Sequence, residues 1–173
     1  MPIFAAQFRT MNLAAVGSVA FDAIETPFGK TDKIVGGAGT YIALAASFFV
    51  SKQSLISVVG GDFPKEFLDL LAAKGVDTSG VEIKYNEKTF FWSGRYHTDM
   101  NSRDTLVTEL NVLGEFQPIV PEHARSTDFL MLGNLSPSVQ LSVIQQMKVR
   151  PKLIAMDTMN FWMDIALAEL QET

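Results

Sequence analysis

The chain has 173 residues, 47% of them apolar, with 14 basic against 19 acidic residues and a formal net charge of -5. That is the length of one domain with a sizeable core, and it argues against disorder. The charges are scattered without runs, which leaves no electrostatic footprint for nucleic acid or an anionic membrane, and points to small, neutral or modestly charged ligands.

The sequence contains no cysteine, so disulfides, thiolate nucleophiles and thiolate-bound metal are excluded, which fits a reducing cytoplasm. No apolar run reaches the roughly 18 residues that a membrane-spanning helix needs. The longest, from Tyr41 to Val50, is interrupted by Ser47. Residues 1–10 carry one charge, Arg9, and no cleavage-site pattern, so they read as an extension, with Met11 as an alternative start.

In chain order, Leu13 to Ser18 is a short, turn-bounded apolar run that predicts a buried strand, with Asp22 just past its carboxyl end. The turn-rich stretch from Pro27 to Asp32, followed by Lys33-Ile34-Val35, predicts a small hairpin outside the main sheet. Gly36, Gly37 and Gly39 close it. The apolar residues from Thr40 to Phe49 are dense enough to predict a helix buried on most sides. Ser54 to Val59 predicts a second core strand, closed by Gly60-Gly61-Asp62. Phe63 to Lys74 predicts an amphipathic helix stopped at Gly75. This alternation of strand and helix defines a mainly parallel α/β fold.

The middle breaks that rhythm. Val81 to Tyr85, Thr89 to His97 and Thr105 to Leu110 read as three strands without intervening helices, an antiparallel meander inserted in the α/β pattern. After Pro118 and Pro121 the rhythm returns: strand at Phe129–Leu132, helix at Pro137–Met147, strand at Leu153–Met156 and helix from Phe161. The last helix reaches Thr173 without a glycine cap or a closing strand, which predicts a truncated sheet.

Several polar signals fall where strands are expected to finish, the edge at which open α/β sheets bind ligands. Asp22 can accept two hydrogen bonds from neighbouring hydroxyls, as a sugar or ribose offers; it can equally be a turn or cap aspartate. Gly36 and Gly37 permit close backbone approach, and amides at a helix start can donate to an oxygen-rich ligand; a tight packing turn is the alternative. The segment lacks the lysine of a phosphate-binding P-loop, and Gly17-Ser18-Val19-Ala20 completes no dinucleotide fingerprint.

Asp157 and Asn160 follow a strand, where an amide can donate to a phosphoryl oxygen and a carboxylate can orient it or act through metal; Asn160 is also a natural helix N-cap. Strand alternation puts Phe90, Trp92 and Tyr96 on one face, able to cover a substrate ring, meet a partner subunit or pack in the core, with Phe91, Arg95 and His97 on the other. His97 and His123 lie on different elements and support no zinc site, and Ser136 and Ser138 lie in no nucleophile elbow.

Taken in order, Val16-Gly17-Ser18-Val19-Ala20-Phe21-Asp22, Gly36-Gly37-Ala38-Gly39-Thr40-Tyr41, Val58-Val59-Gly60-Gly61-Asp62, Lys74-Gly75-Val76-Asp77 and Asp157-Thr158-Met159-Asn160-Phe161-Trp162 resemble the amino-terminal portion of the PfkB, or ribokinase-like, carbohydrate kinases. The resemblance runs from about Met11 to the end. It implies a Rossmann-like, doubly wound α/β core over 11–173, incomplete at its carboxyl end, with a small β-sheet lid from segments 24–35 and 81–111. In that family the lid closes over the sugar and often forms a homodimer contact.

The resemblance further implies transfer of the γ-phosphoryl group of ATP, with Mg2+, to a hydroxyl of a sugar, sugar phosphate or nucleoside. Asp22, Gly36 and Gly37 would hold substrate hydroxyls, Tyr41, Phe90 and Trp92 would border or shield the substrate, and Asn160 with Asp157 would lie toward the transferred phosphate. The sequence departs from the pattern at Tyr41, where many members carry asparagine, and at Phe63-Pro64-Lys65, where a glycine is usual. The family's N-x-x-E motif and its later G-A-G-D segment, source of the anion hole and catalytic base, have no counterpart. The expectation is therefore an acceptor-binding half that binds sugar weakly and does not turn over. A non-catalytic sugar-binding or dimerisation module is the rival; a nicotinamide-dependent oxidoreductase is disfavoured by the absent fingerprint.

Overall fold

The strand and helix succession holds through most of the chain. The computed structural model describes residues 11–173, so the extension expected over 1–10 lies outside the described residues. In order the elements are β1 (Asn12–Val16), β2 (Ala20–Thr26), β3 (Gly29–Lys30), β4 (Ile34–Gly36), α1 (Ala38–Ala46), β5 (Lys52–Gly60), α2 (Lys65–Ala73), β6 (Val76–Lys84), β7 (Phe91–Tyr96) and β8 (Arg103–Glu109). Two 3-10 turns follow, at Asn111–Glu115 and Glu122–Ala124, then β9 (Phe129–Leu132), α3 (Pro137–Gln145), β10 (Leu153–Met156), α4 (Asn160–Ile165) and α5 (Leu167–Glu172).

A five-stranded sheet in the order β10-β9-β1-β5-β6 forms the body, and its strand pairs are all parallel. Parallel sheets bury both faces, and side chains alternate between them along each strand. On β5, Ile56 and Val58 join one apolar cluster with Val16, Leu130, Leu132, Val143, Val112 of the first 3-10 turn and Phe116 just after it. Leu55 and Val59 join a second, with Ala43 of α1, Leu71 of α2, Phe21 and Phe63. The two clusters fix helices to both faces, as a doubly wound sheet requires.

A second sheet carries β3-β2-β7-β8, with β4 on the other side of β2. The hairpin expected around 27–35 is present as β2, β3 and β4, but the sheet already begins at Ala20. The meander expected over 81–111 divides. Val81–Tyr85 falls in and just beyond the long β6, which pairs parallel with β5 in the main sheet; of the three expected meander strands, two remain as the antiparallel pair β7 and β8 of the second sheet. Burial of Val76, and of Val81 against the second cluster, holds β6 in the main sheet. Leu106 is an extra residue opposite the Ser93–Gly94 step, a bulge that re-aims the edge strand.

Helix α1 also differs from expectation. It buries only Gly39, Thr40 and Ala43, and ends at Ala46. Tyr41 is 60% exposed, and Phe48 and Phe49, beyond its end, are 80% and 66% exposed. The density of apolar residues signalled burial that among the described residues is met on one face alone.

Candidate functional site

Asp22, Gly36 and Gly37 come together where the two sheets meet. Asp22 lies in β2 rather than in a loop, paired in register with Ile34 of β4 and Trp92 of β7. Paired residues share a face of the sheet, so Asp22, Trp92 and Gly36 lie on one face. Phe21, Val35 and Phe91 lie on the other, packed on the second apolar cluster. Phe21 and Phe63 rings sit 5.5 Å apart. The alternation expected for the aromatic stretch is present within β7. Phe90 itself precedes the strand, half-buried, its carbonyl accepting from Phe21 N–H at 2.9 Å.

Gly36 and Gly37 are required by geometry. A Cβ on Gly36 would stand 1.9 Å from Asp22 Oδ2. Gly37 has φ 93°, and its Cβ would meet the Ser18 carbonyl oxygen at 2.3 Å. The missing side chains thus make room for the Asp22 carboxylate and for the tight entry into α1. Burial pushes the Asp22 carboxyl above its ordinary value of 3.8, against the opposing hydrogen bond from the Gly37 backbone N–H.

The amides at the start of α1 are occupied, contrary to the expectation that they are aimed at a ligand. Gly37 N–H lies close enough to the Asp22 carboxylate to favour its charged form. Ala38 N–H donates to Ser18 Oγ at 3.1 Å, and Gly39 N–H to Ser18 O at 2.8 Å. Sequence reasoning missed Ser18 as the residue that caps this helix from a distance; a serine directly after a buried strand was its one visible signal. It also missed Thr40, whose hydroxyl donates to the Gly36 carbonyl at 2.8 Å.

Trp92 lies along the sheet: a Cβ on Gly94 would stand 2.1 Å from its indole ring. Its Nε1 donates to Thr105 Oγ1 at 3.3 Å, and the Arg103 guanidinium is 6.0 Å from the ring centre. Tyr41 projects from α1 into solvent.

Asp157 and Asn160 are both exposed, on the segment leaving the carboxyl end of β10. Asp157 N–H donates to Leu132 O at 2.8 Å, and its carbonyl accepts from the buried Gln140 Nε2 at 2.9 Å, which anchors the loop. Asn160 is the first residue of α4 and Met159 occupies the cap position without a side-chain cap bond, so the N-cap alternative for Asn160 is corrected.

A cavity of about 230 Å3 lies at the opposite, amino edge of the sheet, bordered by Asn12, Gln53, Ser54, His123 and Thr127. Nearby, His123 Nε2 lies 2.6 Å from Asp77 Oδ2, and Ser54 Oγ donates to the same oxygen at 3.2 Å. Both partners meet one carboxylate oxygen, so the serine is not aligned on the ring nitrogen opposite the aspartate, as a hydrolytic relay requires. His97 pairs instead with Asp104, at 3.1 Å. Among the described residues no three His, Cys, Asp or Glu side chains gather as metal donors, and no helix is long and apolar enough to cross a membrane.

This fold and this junction define a class. The profile of the pfkB family carbohydrate kinases matches residues 11–148, and the chain belongs to that family. It is 31% identical over 139 residues to the cytidine kinase of Thermococcus kodakarensis, an alignment that covers 80% of this chain and 49% of the relative. The chain thus spans about half the length of that curated relative. Among solved structures, the nucleoside kinase of Methanocaldococcus jannaschii, an archaeal member of the ribokinase family, superposes with a TM-score of 0.69 at 18% identity, over 94% of this chain and 57% of that one. The ribokinase of Cryptococcus neoformans in complex with ADP gives a TM-score of 0.63 at 20% identity, over 79% and 45%. The ribokinase-like fold expected from the sequence is therefore the fold observed.

Proposed function

We propose that the chain is the acceptor-binding half of a kinase that transfers the γ-phosphoryl group of ATP to a hydroxyl of a sugar, sugar phosphate or nucleoside. The observation that carries this reading is the half-buried Asp22 carboxylate, housed by the missing side chain of Gly36 and paired across β2 and β7 with Trp92. A carboxylate in this setting accepts hydrogen bonds from vicinal hydroxyls, and an indole beside it offers a flat apolar surface to a ring. The name of the curated relative, a cytidine kinase, favours a nucleoside within that class.

In this reading the second sheet is the lid, Gly36 and Gly37 contribute space rather than amide donors, and Phe90 and Tyr41 border the site. Asn160 and Asp157 face the transferred phosphate. Closure excludes water from the acceptor, so the nucleotide is not lost to hydrolysis. On the phosphate side Asn160 and Asp157 offer one amide and one carboxylate, groups that could meet a phosphoryl oxygen or orient it but not enclose a nucleotide. ATP and Mg2+, which supply the phosphoryl group and neutralise its charge in phosphoryl transfer, would be held by the part of the relatives' length that this chain does not span.

The exposed strand β8, with Leu106 and Val107 at 45% and 41% exposure and Leu110 just beyond it at 56%, supports a homodimer through the lid. A purely binding or dimerising module remains the rival, and a cytoplasmic setting suits either. Incubating the purified chain with labelled ATP, Mg2+ and a panel of cytidine, adenosine and ribose separates half from whole. The expected outcome is no labelled product, whereas turnover would overturn the proposal that chemistry needs residues beyond this chain.

A further inference from the structure

The chain passes between the two sheets four times: β1 to β2, β4 to α1, β6 to β7, and β8 to the following 3-10 turn. The first two crossings are tied together by Ser18, through Ala38 and Gly39. The other two meet at Thr89, 1% exposed, on the approach to β7. Its N–H and its hydroxyl both donate to Asp62 Oδ1 at 2.7 Å, and its Oγ1 accepts from Gly60 N–H at 3.0 Å. Its carbonyl accepts from Asn111 Nδ2 at 2.9 Å, and Asn111, with φ 46°, is the residue through which the chain leaves β8. Every polar group of Thr89 is therefore bonded.

Asp62 sits on the core loop after β5, and its other oxygen accepts from Lys33 Nζ at 3.2 Å, just before β4. That ammonium also lies 3.9 Å over the Phe21 ring, which packs on Phe63. One carboxylate thus holds the entries to β4 and β7 directly and the exit from β8 through Thr89. Burial acts to raise the Asp62 carboxyl, but the Thr89 and Lys33 hydrogen bonds outweigh it and hold it below the ordinary range. With three donors on its two oxygens, Asp62 is committed to this joint and not to a ligand.

We propose that Asp62 is a positioning residue: the second sheet rests on the core through the apolar face of Phe21, Val35 and Phe91, and the polar joints at Ser18 and Asp62 fix its angle on that face. Apolar contact is non-directional and tolerates sliding, whereas hydrogen bonds are directional, so the polar joints decide the orientation. Loss of Asp62 therefore loosens β7 and β8 as a unit while the parallel sheet stays packed. That this positions Trp92 over an acceptor rests on the reading given under Proposed function; the mount itself does not.

Amide hydrogen exchange on the 173-residue chain tests the mount without any ligand, so its failure is distinct from failure of the acceptor reading. Asp62→Ala, which removes both acceptor oxygens, is expected to speed exchange across 91–96 and 103–109 on the order of ten-fold, leaving 53–59 and 129–132 unchanged. Thr89→Ser, which keeps the hydroxyl, should match the wild type. Lys33→Gln, on an exposed side chain, should give a smaller acceleration in the same segments. Unchanged exchange of β7 and β8 in Asp62→Ala would overturn the proposal. So would an equal acceleration, or collapse, of the core strands, because Asp62 would then support the whole fold rather than the mounting of one sheet.

Discussion

Asp22 combines two demands that pull in opposite directions. Its burial favours the protonated form, so ionisation at neutral pH costs the folded state something that the unfolded chain does not bear. A raised folded-state value means that stability is greatest below the ordinary 3.8 and declines as pH rises through the folded value. Asp22→Asn keeps an oxygen for the Gly37 N–H and removes that cost. It should raise Tm at pH 7 by about 1–4 °C, given that 1 kcal/mol moves a domain of this size by about 2–4 °C, with the gap closing as the pH falls toward 4. A thermal melt in which the variant is several degrees less stable at pH 7 would show that the carboxylate is retained for the fold. An expendable, costly charge is the signature of a functional group.

At the scale of elements, the strands and helices of the main sheet were legible because each carries the right period and a clear stop. Phe129–Leu132 and Leu153–Met156 match expectation to the residue. The second sheet was legible as an insertion but not in its bounds. Nothing local distinguishes Val81–Lys84 from a meander strand; its place beside β5 is set by long-range burial of Val76 and Val81. The Asp22 and glycine signals were visible one by one, whereas Ser18, Thr89 and Lys33 act through partners from about 20 to about 30 residues away, which periodicity does not register.

The open edge of the main sheet carries its own consequence. Leu153 and Met156 on β10 are 59% and 42% exposed, and Phe161, Met163, Ile165 and Leu167 add an apolar surface on α4 and α5. An unpaired parallel edge flanked by apolar side chains invites association. Leu153→Lys should therefore lower self-association of the chain severalfold in sedimentation velocity without lowering Tm; an unchanged distribution of species would place the association elsewhere.

At the scale of the molecule, the proposed function divides the work between the two sheets. The parallel sheet presents the carboxyl ends of β1, β9 and β10, and the second sheet contributes Asp22 and Trp92 from strands mounted on it. The match to the family covers residues 11–148 while the chain spans about half of its cytidine kinase relative, so a binding site can be present without the groups that complete the chemistry. A half-site that lacks the closing contacts of the other half should hold its ligand with a Kd on the order of 1 mM, about -4 kcal/mol. Saturation-transfer NMR of cytidine, with ribose alongside, on the wild-type chain and on Asp22→Ala measures this directly. Transfer from the wild type that is abolished in Asp22→Ala, with the variant still folded, is the predicted result. Equal transfer in the two proteins, or none to either ligand from the wild type, would contradict an acceptor site built on Asp22.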